Sequence, residues 1–122
     1  GLHPNTDPGP PPPPSIEAHC GLAELHLRIF SKDPKPPPKI LDRALQQVCA
    51  ASSWFKANPN HLALQVSANI VLEVLKRLLL LLLKEAKAVD SEQAKSCYRA
   101  ALIASPAQVG AVLEQAQGLV RR

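Results

Sequence analysis

The chain has no methionine and very few aromatic residues. One Trp, one Tyr and two Phe make up 3% of its 122 residues. A core without aromatic bulk has to be aliphatic, built from Leu, Val, Ile and Ala. That favours helices, because strands are enriched in aromatic and β-branched side chains. The want of a methionine even at residue 1 points to a fragment or a processed product. Glycine is scarce too, with five residues and no cluster, so no glycine-rich loop is present to cradle phosphates.

Metal and nucleophile patterns are also missing. Cys20, Cys49 and Cys97 lie far apart, and no Cys-x-x-Cys pair occurs. Their odd number, with no apolar leader in Gly1–Pro14, points to reduced thiols in a nuclear or cytoplasmic protein, buried as small hydrophobes. His19 and Cys20 are adjacent, so on a helix they point about 100° apart and cannot easily share a metal. His19 and His26 are two turns apart. No Cys or Ser stands beside a His with an orienting acid, as nucleophilic catalysis needs. No enzyme activity, cofactor or metal is expected. The net charge of +4 is too mild to signal nucleic acid by itself.

Proline is abundant instead. Residues 1–14 hold seven of the thirteen prolines and are expected to form a disordered, extended tail. The other reading is a ligand for an aromatic-lined groove. The domain then begins at residue 15 and runs to 122, roughly a hundred residues, enough for four or five helices. Pro34, Pro36, Pro37 and Pro38 form a second break, read as a stiff connector. Its lysine flanks, Lys35 and Lys39, also suit a proline-binding partner.

The rest is helix-forming. Six consecutive leucines, Leu78–Leu83, sit in a segment predicted to be helical from Asn60 to Ala88. Six neighbours cannot share one face, so this helix is apolar all round and belongs in the centre of a core. It is not a membrane span. Glu73, Lys76, Arg77, Lys84 and Glu85 bracket it more closely than the ~20 apolar residues a span needs. The polar stretch Gln65–Asn69 is the expected place for a kink or break in so long a helix. Further helices are predicted over Ile16–Phe30, capped by Ser15, and over Ile40–Lys56. Two more are predicted over Ser91–Ala104 and Pro106–Val120, the last with Ser105 as cap and Pro106 at its first position. The expected inward stripes are Ala18, Leu22, Leu25 and Ile29 in the first, and Leu41, Leu45, Val48 and Ser52 in the second. In the last they are Val109, Val112, Leu113, Ala116 and Leu119–Val120. The fold class is therefore all-α: an antiparallel helical bundle of four to five helices behind a disordered proline-rich N-terminal tail.

Ala94, Tyr98, Ala101 and Pro106 have the spacing small-x-x-x-aromatic-x-x-small followed by proline. This resembles the second helix of a tetratricopeptide repeat, over about residues 76–106. Leu82 and Glu85 stand where that repeat has Gly and Tyr, and no second copy precedes it. The resemblance implies peptide or protein binding on a helical groove and no catalysis.

Lys76, Arg77, Lys84, Lys87, Lys95 and Arg99 are read as a basic surface across the leucine helix and the one after it. The expected function is a non-catalytic protein–protein interaction domain of a larger intracellular protein. It would bind a partner peptide or helix in an apolar groove rimmed by Lys84, Lys87, Lys95 and Arg99, with Tyr98 as anchor or packing residue. Trp54 and Phe55 form a second candidate surface. Two alternatives stand beside it. One is a helical nucleic-acid-binding domain using the same basic face, although aromatic stacking platforms are few. The other is a homo-oligomer formed through the leucine helix.

Overall fold

A leucine-rich helix has more apolar circumference than one neighbour can cover, and the architecture follows from that. The computed structural model describes residues 16–57, 64–85 and 91–119, and among these every regular element is helical. The α-helices are α1 (Ile16–Lys32), α2 (Ile40–Cys49), α3 (Ser52–Ala57), α4 (Leu64–Lys84), α5 (Ser91–Ile103) and α6 (Val109–Gln117), with a 3₁₀ turn at Pro106–Gln108 before α6. The expected Ser15 cap, the proline tail, the Asn58–Asn60 connector, the Val89-Asp90 turn and Val120 lie outside the described residues.

α4 holds the Leu78–Leu83 run and is the hub, touching α1, α2, α5 and α6, while α2 and α6 also meet directly. Ala68, Val71, Leu72, Val74, Leu75, Leu78, Leu79 and Leu82 are all buried. At 100° per residue they cover an arc of roughly 160°. Leu80 falls outside that arc and is 43% exposed. Asn69, Glu73, Lys76, Arg77 and Lys84 share the face outside that arc, so the helix is amphipathic and not apolar all round as expected. It also runs through Gln65–Asn69 as continuous helix, so no break occurs there.

α1 departs from expectation. Of the stripe Ala18, Leu22, Leu25 and Ile29, only Ile29 packs against the core, partly buried, while Leu22 and Leu25 are 45% and 47% exposed. The buried stripe is Ile16, Cys20, Ala23 and Leu27, on the opposite side of the helix. This helix carries two apolar stripes. The inner one has small residues in its middle, Cys20 and Ala23, which let α1 approach its neighbours closely. His19 lies between the stripes and donates from Nδ1 to Oε1 of Gln47 on α2, at 2.9 Å.

The Pro34–Pro38 connector turns the chain into α2. Asp33 Oδ1 accepts the Lys35 amide at 2.9 Å. Lys39 enters α2 with a φ of 63°, in the left-handed region. For a non-glycine residue that costs roughly 1 kcal/mol. The expected stripe Leu41, Leu45, Val48 and Ser52 is buried, with Ala44, Ala51 and Phe55 beside it. The predicted single helix over Ile40–Lys56 is nevertheless two, α2 and α3, with a turn at Ala50–Ala51. No Gly or Pro marks that turn. Ser52 and Ser53 just after it are residues whose hydroxyls compete with helical backbone bonding.

At the far end, the Ser105 amide donates to Oε1 of Gln108 at 2.9 Å and fixes the turn that starts with Pro106. Val109, Val112, Leu113, Ala116 and Leu119 are buried as expected. Gly110 has a packing role, because α3 crosses it. A Cβ there would lie 2.6 Å from Cγ of Lys56 and 2.7 Å from its backbone nitrogen. Gly21, in contrast, has nothing within 4 Å of such a Cβ.

The two glycines make an internal control. Gly110→Ala should lose about 1–3 kcal/mol, since the backbone of α3 must move away. Gly21→Ala should gain about 0.5–1 kcal/mol from helix propensity alone. Urea denaturation of both variants measures this. An equal gain in both would show that α3 does not press on α6.

Candidate functional site

The residues singled out by sequence do not form one surface. Phe55 is 1% exposed and holds the core, so it is corrected from candidate binding residue to core residue. Trp54 is partly buried against the same core and meets the Phe55 ring edge-on, with centroids 5.8 Å apart and planes at 78°. Tyr98 also packs partly buried against the core, between the buried Ala94 and Ala101. Lys87 lies outside the described residues. Lys95 and Arg99 are exposed on α5, and Lys95 pairs within its own helix with Glu92 at 3.7 Å. Lys76 likewise pairs with Glu73 at 2.8 Å, and its hydrogen bond holds the Glu73 carboxyl below the usual carboxylate range.

Lys84 belongs elsewhere. It lines a groove between α1 and α4, with Arg77 beside it and Glu24 and Arg28 on the opposite wall. Leu27, Leu80 and Leu81 make the apolar part of the lining, and the volume is about 390 Å³. Both walls span seven residue steps, from Glu24 to Ser31 on α1 and from Arg77 to Lys84 on α4. That is about two turns, or roughly 10 Å, along each helix. Glu24 is the acidic residue of this lining, and it is held by Arg77 at 3.5 Å. Arg28 and Lys84 have no carboxylate within 4 Å among the described residues.

A second depression, again about 390 Å³, adjoins the first across Arg28. Leu25, Ile29 and Pro34 line it, with Lys32 and Asp33 at its edge. Leu25 and Ile29 of the outward stripe thus reach the α1–α4 groove only across Arg28, and Leu22 lines neither depression. Sequence reasoning missed Arg28, Leu80 and Leu81 as site residues. One signal was available: a 17-residue helix with two opposite apolar stripes can turn only one of them to its own core.

Among the described residues, no three His, Cys, Asp or Glu side chains group as metal ligands, and the three cysteines are free and buried. The thiol of Cys49 donates to the Leu113 carbonyl at 3.3 Å, and that of Cys97 to the Val112 carbonyl at 3.9 Å. Burial pushes Cys49 up to about 12, with a smaller push from Cys97, and pushes Cys97 itself up to about 11. Cys20 is raised by burial and, less, by the charge of Glu24. A thiolate is the reactive form, so these thiols are inert in the folded chain. No described helix is long and apolar enough to cross a membrane.

The shift has a sign. Burial places the folded thiol values above those of an unfolded cysteine, so the neutral thiols support the fold fully below about pH 8.5. That contribution drains away as pH climbs towards 11 and 12. Near neutral pH, a thiol reagent should label none of Cys20, Cys49 and Cys97 quickly in the native protein, and all of them in concentrated guanidinium. Fast native labelling would contradict their burial.

No family model matches the chain, and neither a curated protein nor a solved structure matches it, so the groove is interpreted on its own geometry.

Proposed function

We propose that this chain is a non-catalytic protein–protein interaction domain that receives a partner peptide or helix in the α1–α4 groove. The observation that carries it is the outward stripe of α1. Leu22 and Leu25 are nearly half exposed, Leu25 lines a depression that shares Arg28 with the groove, and Leu80 within the groove is exposed too. Large side chains left out of a core and gathered beside a groove are what a binding surface offers. The bundle is read as antiparallel, as short links between touching neighbours favour. The tetratricopeptide-like reading of α4 and α5 fits the same function. Its support is that Ala94 and Ala101 are buried and Tyr98 packs beside them.

The test is a panel of random helical peptides displayed on phage and selected against the full chain. Enriched peptides should bind wild type and lose at least tenfold in affinity to Leu25→Glu and Leu80→Glu. Both positions are surface sites, so each variant should stay within about 0.5 kcal/mol of wild-type stability. Binding that ignores both variants would remove the groove from the proposal. Sedimentation with duplex DNA at two salt concentrations checks the alternative. A nucleic-acid complex would weaken steeply with salt, and its appearance without peptide binding would overturn the proposal. A dimer dissociated by Leu25→Glu would assign the stripe to self-association instead.

A further inference from the structure

The groove has a charge pattern as well as an apolar lining, and the pattern restricts the occupant. Arg28 stands between two apolar depressions, one lined by Leu25 and Ile29, the other by Leu27, Leu80 and Leu81. Arg77 and Lys84 face it from α4, and Lys32 continues the basic edge one turn on. Glu24 is held by Arg77 and Asp33 keeps its charge, but the two carboxylates stand against four cations, Arg28, Lys32, Arg77 and Lys84, so the combined lining is net positive.

We infer that the groove takes an acidic amphipathic helix of a partner protein, with apolar anchors in the two depressions and a carboxylate between them on Arg28. This rests on the interaction-domain reading above and adds the partner's chemistry. The walls are two helices running side by side for about two turns, which suits a helix laid into the groove with anchors at i, i+3, i+4 or i+7. The leucines exclude a bare phosphate or other small anion as the intended ligand, since such a ligand would leave the apolar lining unused. A second copy of this chain is disfavoured by charge. In an isologous contact the face would meet itself, bringing two net-positive linings together. Like charges set against each other across an interface are unfavourable. An acidic helix meets complementary charge on both walls.

The experiment uses the full chain and three fluorescein-labelled helical peptides of ~15 residues, long enough to hold a helix. All carry the same leucine face. The flanking residues are Glu in the first, Gln in the second and Lys in the third. Anisotropy should rank them Glu above Gln above Lys, with about tenfold between neighbours. Arg28→Glu should weaken the Glu peptide at least tenfold and tighten the Lys peptide. A gain of binding cannot come from an unfolded variant. Amide shifts of Leu25, Leu27, Leu80 and Leu81 should accompany binding. Equal affinity for the Glu and Gln peptides, with shifts at those leucines, would sink the acidic assignment and leave the groove standing. Tighter binding of the Lys peptide to wild type would sink it too. No shift at those leucines with any peptide would remove both the acidic assignment and the groove reading.

Discussion

The fold depends on the broad buried face of α4. Val71, Val74, Leu75, Leu78 and Leu79 are each at most 1% exposed, on a helix that touches α1, α2, α5 and α6. Each buried leucine or valine contributes about 1.5–3 kcal/mol when withdrawn from water. Because one helix carries so much of this, the other elements need only supply complementary surfaces. They do so with small residues. Ala23, Ala44, Ala94, Ala101 and Ala116 are all at most 2% exposed. An aliphatic core poor in aromatic rings fills space by bringing backbones close together, and Gly110 beneath Lys56 is the extreme case.

The same economy explains which parts of the structure were legible beforehand. Stripes made of large residues on α2 and α6 face inward as their periodicity predicts, since each of those helices has one apolar face. On α1 the rule fails. Periodicity weighs bulk, and the bulkier stripe, with Leu22 and Leu25, is the outer one. The small inner residues Cys20 and Ala23 win because they allow closer packing, a tertiary effect that a single helix does not show. The turn at Ala50–Ala51 has no glycine or proline to announce it. Gln65–Asn69 likewise lies within continuous helix, although Val66, Ser67 and Asn69 are weaker helix formers than leucine.

The basic residues divide along the same line. Lys76 and Lys95 find carboxylates one turn away in their own helices, at the local spacing that sequence displays. Arg77 finds Glu24, more than fifty positions earlier in the chain. A charge count could register six cations near α4 and α5, but it could not separate those absorbed locally from those turned towards α1. The candidate site therefore shifted from the α4–α5 surface to the α1–α4 groove, keeping Lys84 and gaining Arg28.

The two walls of that groove come from Glu24–Ser31 and Arg77–Lys84, segments joined only through the folded core. Neither wall exists as a site in the unfolded chain. Any occupant therefore binds the native state alone and shifts the folding equilibrium by RT ln(1 + [L]/Kd), about 2.7 kcal/mol at a hundredfold excess over Kd. For a domain of marginal stability such an increment is a large share of the whole. Occupancy and persistence of the fold are then one thermodynamic quantity, and the cellular lifetime of this chain would follow the abundance of whatever fills the groove.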